Sequence, residues 1–562
     1  MFRPKANATP QESSFWVSEL KLTDGSLIDL IPESVVLLVG PNNSGKSTLL
    51  RELLESLEDS KSSRKIVKDL KINSTSQYII SRITTFFRTR DMHTSIGILN
   101  NSGGFESVLD KNAMNPSDLK LDIAARAFAL RLDSAERLKL SDPTPTIDIH
   151  SNKPVHPYHF FMLSRDLLRR FAKAIHSALG LDFTIVRIGS PVRGYVGDAF
   201  ANDRDSIEAD QEVPGAGETV ETQGDGIRSY VGIAAEFFAS THPLILLDEP
   251  EAFLHPPQAR KLGKLIIETV SEQQQTFIAT HSSDFLQGVI AARSQRVQVI
   301  RLTRNSGAFR SYSLSNDKLK TALSHPSIAN SNLLDSLFFT QTVLCEGDAD
   351  CGLFDWITRE LAKHDGQSVD RFWFSSGGKY QTPKLARILS EFGIDYRVIL
   401  DLDAILDWSL LTELSVLRGF DISPYKKRIE AALKVLKRPD PRFISAKIRE
   451  LVSTPAQDEE AEAATLRAVA RSLESARRSH PLKQYGLSAF NNGQERKGVQ
   501  DFLANLATRG VILLPRGELE SYVPKVGLHG PGWAAVVSEQ YEEHEAQLRE
   551  LLADILPGLE PA

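Results

Sequence analysis

Residues 40–47 read Gly40-Pro41-Asn42-Asn43-Ser44-Gly45-Lys46-Ser47, a G-x-x-x-x-G-K-S octet that follows the apolar run VVLLV (35–39) and leads into the helical pattern TLLRELLESL. A short apolar run bounded by turn residues is what a strand buried on both faces looks like, so a parallel sheet covered by helices is expected. Strand, glycine-rich turn and helix in that order form a phosphate cradle, because successive backbone N–H groups and the positive end of the helix face one point. Lys46 is expected to reach the β and γ phosphates and Ser47 to ligate Mg²⁺. Gly40, Asn42, Asn43, Gly45, Lys46, Ser47 and Thr48 are therefore the expected nucleotide-binding residues, with ATP as the cofactor.

A second apolar run, LILL (244–247), ends in Asp248-Glu249. A carboxylate at the tip of a buried strand can hold the Mg²⁺ of a bound nucleotide, so Asp248 takes that role, and Glu249 is placed to activate the attacking water. Further on, Phe277-Ile278-Ala279-Thr280 is an apolar strand pattern ending at His281-Ser282, where a donor would sense bound ATP. Gly224-Asp225-Gly226-Ile227-Arg228-Ser229 opens the helical run IRSYVGIAAEFF, and the acidic, turn-rich stretch 202–222 before it reads as an exposed loop.

Together, Asp248-Glu249-Pro250-Glu251-Ala252-Phe253-Leu254-His255-Pro256 and the FIATHS segment resemble the ABC-type ATPase heads of the SMC-like and OLD (overcoming lysogenisation defect) groups. The resemblance implies that His281 contacts the γ-phosphate. It also implies that Gly224 and Gly226 belong to a degenerate signature loop, whose helix N-terminus caps ATP held by a second subunit. A homodimer or higher oligomer formed through the ATPase heads follows from that arrangement. No Q-loop can be placed from the residues.

Three acidic clusters each follow a strand pattern in the second half: Glu346, Asp348 and Asp350 in TVLCEGDAD, Asp401 and Asp403 in VILDLD, and Glu518 and Glu520 in VILLPRGELE. Carboxylates at the carboxyl ends of neighbouring strands converge on one crevice, and such a cluster needs cations. Two Mg²⁺ or Mn²⁺ ions would neutralise it and clamp the attacking and leaving oxygens of a phosphodiester.

The order strand-Glu-Gly then strand-Asp-x-Asp resembles the TOPRIM domain of topoisomerases, primases and OLD nucleases. The resemblance assigns Glu346 to the family's glutamate, Asp401 and Asp403 to its metal-binding pair, and Asp350 to the second acid of an E-G-x-x-E form, here one methylene shorter. It assigns Glu518 and Glu520 to an element associated with a second metal. Ser375-Ser376-Gly377-Gly378 falls at the glycine-bearing strand end of such domains. OLD nucleases also use a lysine near this element, and Lys525 is the nearest candidate. Glu249, Glu346, Asp401, Asp403 and Lys525 thus form the expected catalytic set. The expected metal ligands are Ser47, Asp248, Glu346, Asp350, Asp401, Asp403, Glu518 and Glu520, with one ion at the ATPase site and two at the TOPRIM site.

Composition excludes other classes. A chain of 562 residues with 25% charged residues carries no apolar run of the ~18–20 residues that crosses a bilayer. Its start, MFRPKANATPQESSFW, has no apolar stretch of the kind a secretory leader needs, and its two cysteines, Cys345 and Cys351, suit a reducing cytoplasm. These cysteines lack metal-ligand spacing and read as small buried hydrophobes. A net charge of -6 argues against a uniformly basic surface.

The expected architecture is α/β. An ABC-type P-loop ATPase head spans 1–335, and a Rossmann-like TOPRIM domain spans 336–530 with a helical insertion over about 409–485. A helical tail covers 531–562. The insertion carries the basic pieces Lys426-Lys427-Arg428, Lys434 and Lys437-Arg438, a weak pointer to phosphate contacts. ATPase head followed by TOPRIM is the arrangement of OLD-family nucleases, including the nuclease subunit of the Gabija anti-phage system. The resemblance implies an ATP-hydrolysing, metal-dependent DNA endonuclease in anti-phage defence, acting on double-stranded DNA with an accessory defence protein and away from membranes. The rival reading is a non-cutting ATPase clamp or sensor subunit; a transporter ATPase is disfavoured by the acidic clusters.

Overall fold

In the computed structural model the Val35–Val39 strand is buried along its whole length, as its unbroken apolar sequence requires. The structure describes residues 14–559 apart from 59–63, 88, 93, 100–104, 112–121, 148–152, 187–189, 199–216, 293, 306, 315–331, 366–369, 437–440, 454–458, 476, 478, 491–492 and 528–529. The chain divides into two compact units, Met1–Phe338 and Phe339–Ala562. The short 3-10 segment Asn332–Phe338, which buries Leu333, Leu334 and Leu337, closes the first unit just past residue 335.

A six-stranded sheet organises the first unit, in the order Ala308–Leu314, Val297–Asn305, Val35–Val39, Gln275–Ala279, Leu244–Asp248, Ala129–Leu132. All neighbours are parallel except the Ala308–Leu314 edge strand. The Gln275–Ala279 strand lies between the two strands whose ends carry the phosphate loop and Asp248, so the residues after Ala279 face both. Helix Lys46–Glu58 packs one face of the sheet, burying Leu49, Leu50, Leu53 and Leu57 against Val36, Leu38, Leu246 and Phe277. Each such leucine contributes roughly 1.5–3 kcal/mol relative to leaving it in water, which anchors the helix whose N-terminus forms the cradle.

The acidic stretch read as a loop to residue 222 lies outside the described residues over 202–216, but its end is ordered. Gly217–Thr219 pairs antiparallel with Gly194–Gly197, which pairs in turn with Asp182–Ile185. The ladder supplies backbone partners that local composition could not reveal. Helix Asp225–Ala239 then begins at Gly224.

The second unit is built on four parallel strands in the order Arg371–Ser375, Gln341–Cys345, Asp395–Leu400, Val511–Leu513. The chain starts in the middle of this sheet, moves to one side and returns to the other. The crevice beyond the carboxyl ends of Gln341–Cys345 and Asp395–Leu400 is thus a topological switch point, where such sheets bind ligands. Helices fill the sequence between the last two strands: Trp408–Leu417, Lys426–Lys434, Pro441–Ser453, Glu459–Ser475, His480–Tyr485 and Gly493–Thr508. The C-terminal helices Pro531–Glu539 and Tyr541–Leu559 pack Trp533, Val537, Leu548, Leu551, Ile555 and Leu559 into the same core as Val343, Ile399 and Ile512. The segment read as a tail is therefore part of this unit's interior.

Candidate functional site

The first unit gathers the nucleotide-type residues around the phosphate loop. Gly40 and Gly45 adopt φ 144 and 97, and their missing side chains are structural necessities. A Cβ on Gly40 would lie 2.1 Å from the carbonyl of Leu302, and one on Gly45 would lie 2.4 Å from Ile66 Cδ1. Lys46 is buried, and its Nζ donates to the carbonyls of Gly40 at 2.7 Å and Pro41 at 3.0 Å, curling over the loop that would hold the phosphates. Burial lowers its pKa against the raising effect of Glu249, Glu251 and Asp248. Ser44 Oγ is buried without a hydrogen-bond partner. A glycine-shaped cradle with an unused buried hydroxyl fits a triphosphate. Asn42 and Asn43 form the crest of the loop, Asn43 in the left-handed region at φ 62, and Thr48 follows Ser47 in the first helical turn.

Opposite the loop, Ser47 Oγ donates to Asp248 Oδ1 at 2.9 Å, which joins the two expected Mg²⁺ ligands directly. Burial raises the Asp248 pKa, and the Ser47 hydrogen bond lowers it. Glu249 follows at φ 48, a left-handed conformation that turns its chain off the strand axis, and its N–H donates to the carbonyl of Ala279. His281 Nδ1 lies 3.4 Å from Glu249 Oε1 and 3.3 Å from Glu251 Oε1. Glu251 is buried, takes hydrogen bonds from Thr280 Oγ1 and the His281 N–H, both at 2.8 Å, and burial raises its pKa. Gly224, exposed, and Gly226, half-buried, sit at the start of helix Asp225–Ala239.

Arg137, which carries no sequence signal of a role, is fully buried behind this tip. Its Nη1 donates to the carbonyl oxygen of Asp248 at 2.8 Å and to that of Glu249. In RLDSAERLKL it looks like one more charge on a short solvated helix, and nothing local marks it.

The second unit brings Glu346, Asp401 and Asp403 together, with one carboxylate oxygen of each lying within 4.8 Å of the others. Glu346 ends the first strand, and its Oε1 accepts the Asp401 N–H at 3.1 Å, locking the two strand ends in register. The pKa of Glu346 is raised to about 7, first by burial and then by the charge of Asp401. Asp350 is raised to about 6 for the same two reasons, and Asp401 is raised mainly by burial. Asp403 is buried, with Oδ1 lacking a hydrogen-bond partner. Clustered carboxylates that resist ionisation, with one oxygen orphaned, have the chemistry of a divalent-cation site.

The other expected ligands are near this trio in different ways. Asp350 Oδ2 accepts the Gly347 N–H at 3.0 Å, inside the turn that follows Glu346. Glu520 Oε1 accepts the Gly530 N–H at 2.7 Å, and its charge helps raise both Asp350 and Asp401. Glu518 Oε2 is 3.7 Å from Lys483 Nζ. Of the glycine-bearing strand end, Ser376 Oγ donates to the Cys345 carbonyl at 2.8 Å, and the Gly378 N–H donates to the Glu346 carbonyl at 2.9 Å. Both cysteines are free and buried.

The lysine at the acids is Lys483, whose Nζ lies 2.7 Å from Asp401 Oδ2, whereas Lys525 is exposed in the Pro524–Val526 turn. Burial pulls the Lys483 pKa down, but Asp401 outweighs it and holds the ammonium above its ordinary value. The 515–518 turn seats it: Glu518 N–H and Ser521 Oγ both donate to the Lys483 carbonyl, while Gly517 accepts the Leu402 N–H. A second lysine, Lys379, places Nζ 2.8 Å from Asp403 Oδ2.

Residues 35–286 match a protein family described as "AAA domain, putative AbiEii toxin, Type IV TA system", and residues 337–403 match "Overcoming lysogenization defect protein-like, TOPRIM domain". The Old nuclease of Escherichia phage P2 is 26% identical over 179 residues, covering 31% of this chain and 30% of that protein. The match thus spans under a third of that relative's length. Among solved structures, the Smc head of Pyrococcus furiosus bound to the C-terminal domain of ScpA is 13% identical, covering 55% of this chain and 99% of that one with a TM-score of 0.33. The SMC head domain of Thermotoga maritima is 12% identical, covering 54% and 98% with a TM-score of 0.28. Fold and site define a P-loop ATPase domain followed by a TOPRIM domain, in the order expected from sequence. The chain thus joins a P-loop ATPase domain to an overcoming-lysogenization-defect-like TOPRIM domain, and part of it is similar to the Old nuclease.

Proposed function

We propose that this protein is an ATP-hydrolysing, divalent-metal-dependent DNA endonuclease acting in anti-phage defence. The observation that carries the reading is the convergence of Glu346, Asp401 and Asp403 at the switch point of a parallel sheet. When bound by these acids, Mg²⁺ or Mn²⁺ would supply positive charge to the oxygens of a phosphodiester. Asp350, Glu518 and Glu520 are the candidate ligands of a second ion, since Glu520 is close enough to perturb both Asp350 and Asp401. Lys483 pairs with Asp401 and presents a cation beside the cluster, and Lys379 pairs with Asp403.

In the first unit, Gly40, Gly45 and Lys46 would hold the triphosphate, and Ser47 and Asp248 the associated Mg²⁺. Glu249 is the candidate base and His281 the phosphate sensor beside it. The Gly224–Gly226 helix start, exposed at Gly224, suits contact with nucleotide held by a second copy, so ATP-dependent pairing of heads is part of the proposal. No helix among the described residues is long and apolar enough to cross a membrane. Action in the cytoplasm on double-stranded DNA, with an accessory defence protein, completes the reading.

The test is nicking of supercoiled plasmid with Mg²⁺ or Mn²⁺, across ATP concentrations, by wild type and Asp401→Ala. Metal-dependent nicking that disappears in the variant while ATPase persists supports the reading. Wild-type protein that cuts under none of these conditions, alone or with its accessory protein, sinks it in favour of a non-cutting sensor.

A further inference from the structure

Arg137 touches none of the phosphate-binding or metal-binding side chains assigned above, yet its guanidinium is fully buried, with Nε lacking a hydrogen-bond partner, a costly place for a cation that its remaining contacts must offset. Nη1 is spent on the carbonyl oxygens of Asp248 and Glu249, and Nη2 donates to Ser134 Oγ at 3.1 Å. The guanidinium carbon lies 5.8 Å from the centroid of the Phe253 ring. Glu249 and Phe253 both have positive φ, 48 and 70, which residues with side chains leave unless their surroundings hold them. Arg137 therefore grips both ends of the turn that aims Glu249.

The backbone of the same residue lies against helix Asp225–Ala239. Gly232 packs on the Arg137 carbonyl so closely that a Cβ would lie 2.5 Å from its oxygen. At the helix start, a Cβ on Gly226 would lie 2.8 Å from the Phe253 carbonyl oxygen. Close-packed contacts of this kind transmit displacement, because neither backbone can yield without the other moving. The helix, the Phe253 turn and the Arg137 fork thus form one connected body with the Glu249 backbone.

We propose that Arg137 is a positioning residue for ATP hydrolysis, coupling the seat of helix Asp225–Ala239 to the aim of Glu249. The inference rests on the reading of the first unit as an ATPase. The helix begins at the Gly224–Gly226 turn, exposed at Gly224, so nucleotide held by a second copy would bear on the end of the body that Arg137 ties to Glu249. Lysine cannot replace the arginine, because one ammonium cannot span two carbonyls and Ser134 in a fixed plane.

The experiment compares full-length wild type, Arg137→Lys, Arg137→Met and Phe253→Leu in steady-state ATPase and in equilibrium binding of a fluorescent ATP analogue. Arg137→Lys is expected to lower kcat by roughly 100-fold while nucleotide affinity stays within about twofold, the split of a group that aims the base without touching substrate. Phe253→Leu, at an exposed position that cannot unfold the core, is expected to lower kcat by roughly 3- to 10-fold with affinity unchanged. Arg137→Lys with kcat within about threefold of wild type overturns the proposal. Should both Arg137 variants fail to fold, Phe253→Leu decides, and an unchanged kcat there overturns it. Wild type that binds the analogue yet hydrolyses no ATP, alone or with DNA, overturns the ATPase reading itself, a result read before any variant.

Discussion

Lys483 Nζ sits 2.7 Å from Asp401 Oδ2, although the two residues are 82 positions apart, and the contact depends on the turn at Pro515–Glu518 that bonds to both neighbourhoods. In the absence of cations this ammonium offsets much of the repulsion among Glu346, Asp401 and Asp403. Lys483→Met should therefore lower plasmid nicking by at least about 10-fold and lower the melting temperature of metal-free protein, with Mg²⁺ restoring the melting temperature but not the nicking. Lys525→Met, at an exposed site, should leave both unchanged. Equal losses in the two variants would contradict the assignment.

Proton linkage gives a second expectation. Glu346 has its pKa raised from 4.5 to about 7 and Asp350 from 3.8 to about 6. In the window between those values the folded state binds more protons than the unfolded one, so the stability these groups contribute is present at low pH and is lost as pH rises through the folded values. Metal-free protein should melt at progressively lower temperature between pH 4.5 and about 7, by thermal scanning. Metal binding must expel those protons, so Mn²⁺ affinity should climb over the same window, with proton release visible as a buffer-dependent calorimetric enthalpy. A flat profile would mean that the acids are already ionised in the free protein.

The two phosphate-loop strands and the three acidic clusters were legible in the sequence for one reason. Strands buried on both faces must be written as contiguous apolar residues, and VVLLV, LILL, TVLC and VIL were followed at once by the residues that matter. Lys483 and Arg137 were not legible, because each lies on a short helix whose charges look solvated. Only the tertiary fold shows that one faces Asp401 and the other lies buried against the carbonyls of Asp248 and Glu249. The order at Gly217–Thr219 escaped too, since its ladder partner, Gly194–Gly197, lies across an acidic stretch. Nearness along the chain points to Lys525, but the helical insertion folds back and brings Lys483 to Asp401 instead.

At the ATPase site, binding and hydrolysis should separate cleanly. Lys46→Ala removes the buried ammonium of the cradle and should abolish nucleotide binding. Glu249→Gln keeps the loop, Ser47 and Asp248 intact, so ATP should still bind while turnover falls by roughly 100-fold or more. Trapped with ATP, Glu249→Gln should elute as a larger species in size-exclusion chromatography with light scattering than it does without nucleotide. Identical elution with and without ATP would argue against nucleotide-driven pairing of the heads.

Gly517 offers a test of how the second site is assembled. It holds φ 113, and a Cβ there would lie 1.9 Å from the Lys483 carbonyl oxygen, so alanine meets both an unfavourable backbone region and a backbone clash. Strain of that kind costs about 1–3 kcal/mol, and the chain can relieve it only by moving the Lys483 segment away from Leu402 and Asp401. Gly517→Ala should therefore lose nicking as Lys483→Met does while ATP turnover is kept, with a fall of several degrees in the melting temperature of the second unit. Gly527→Ala, at another positive-φ glycine (φ 69) with nothing within 4 Å of its Cβ, should carry the backbone cost without the loss of nicking. If both variants lost nicking equally, backbone strain alone would explain the result, and the seating of Lys483 by this turn would have no role in cleavage.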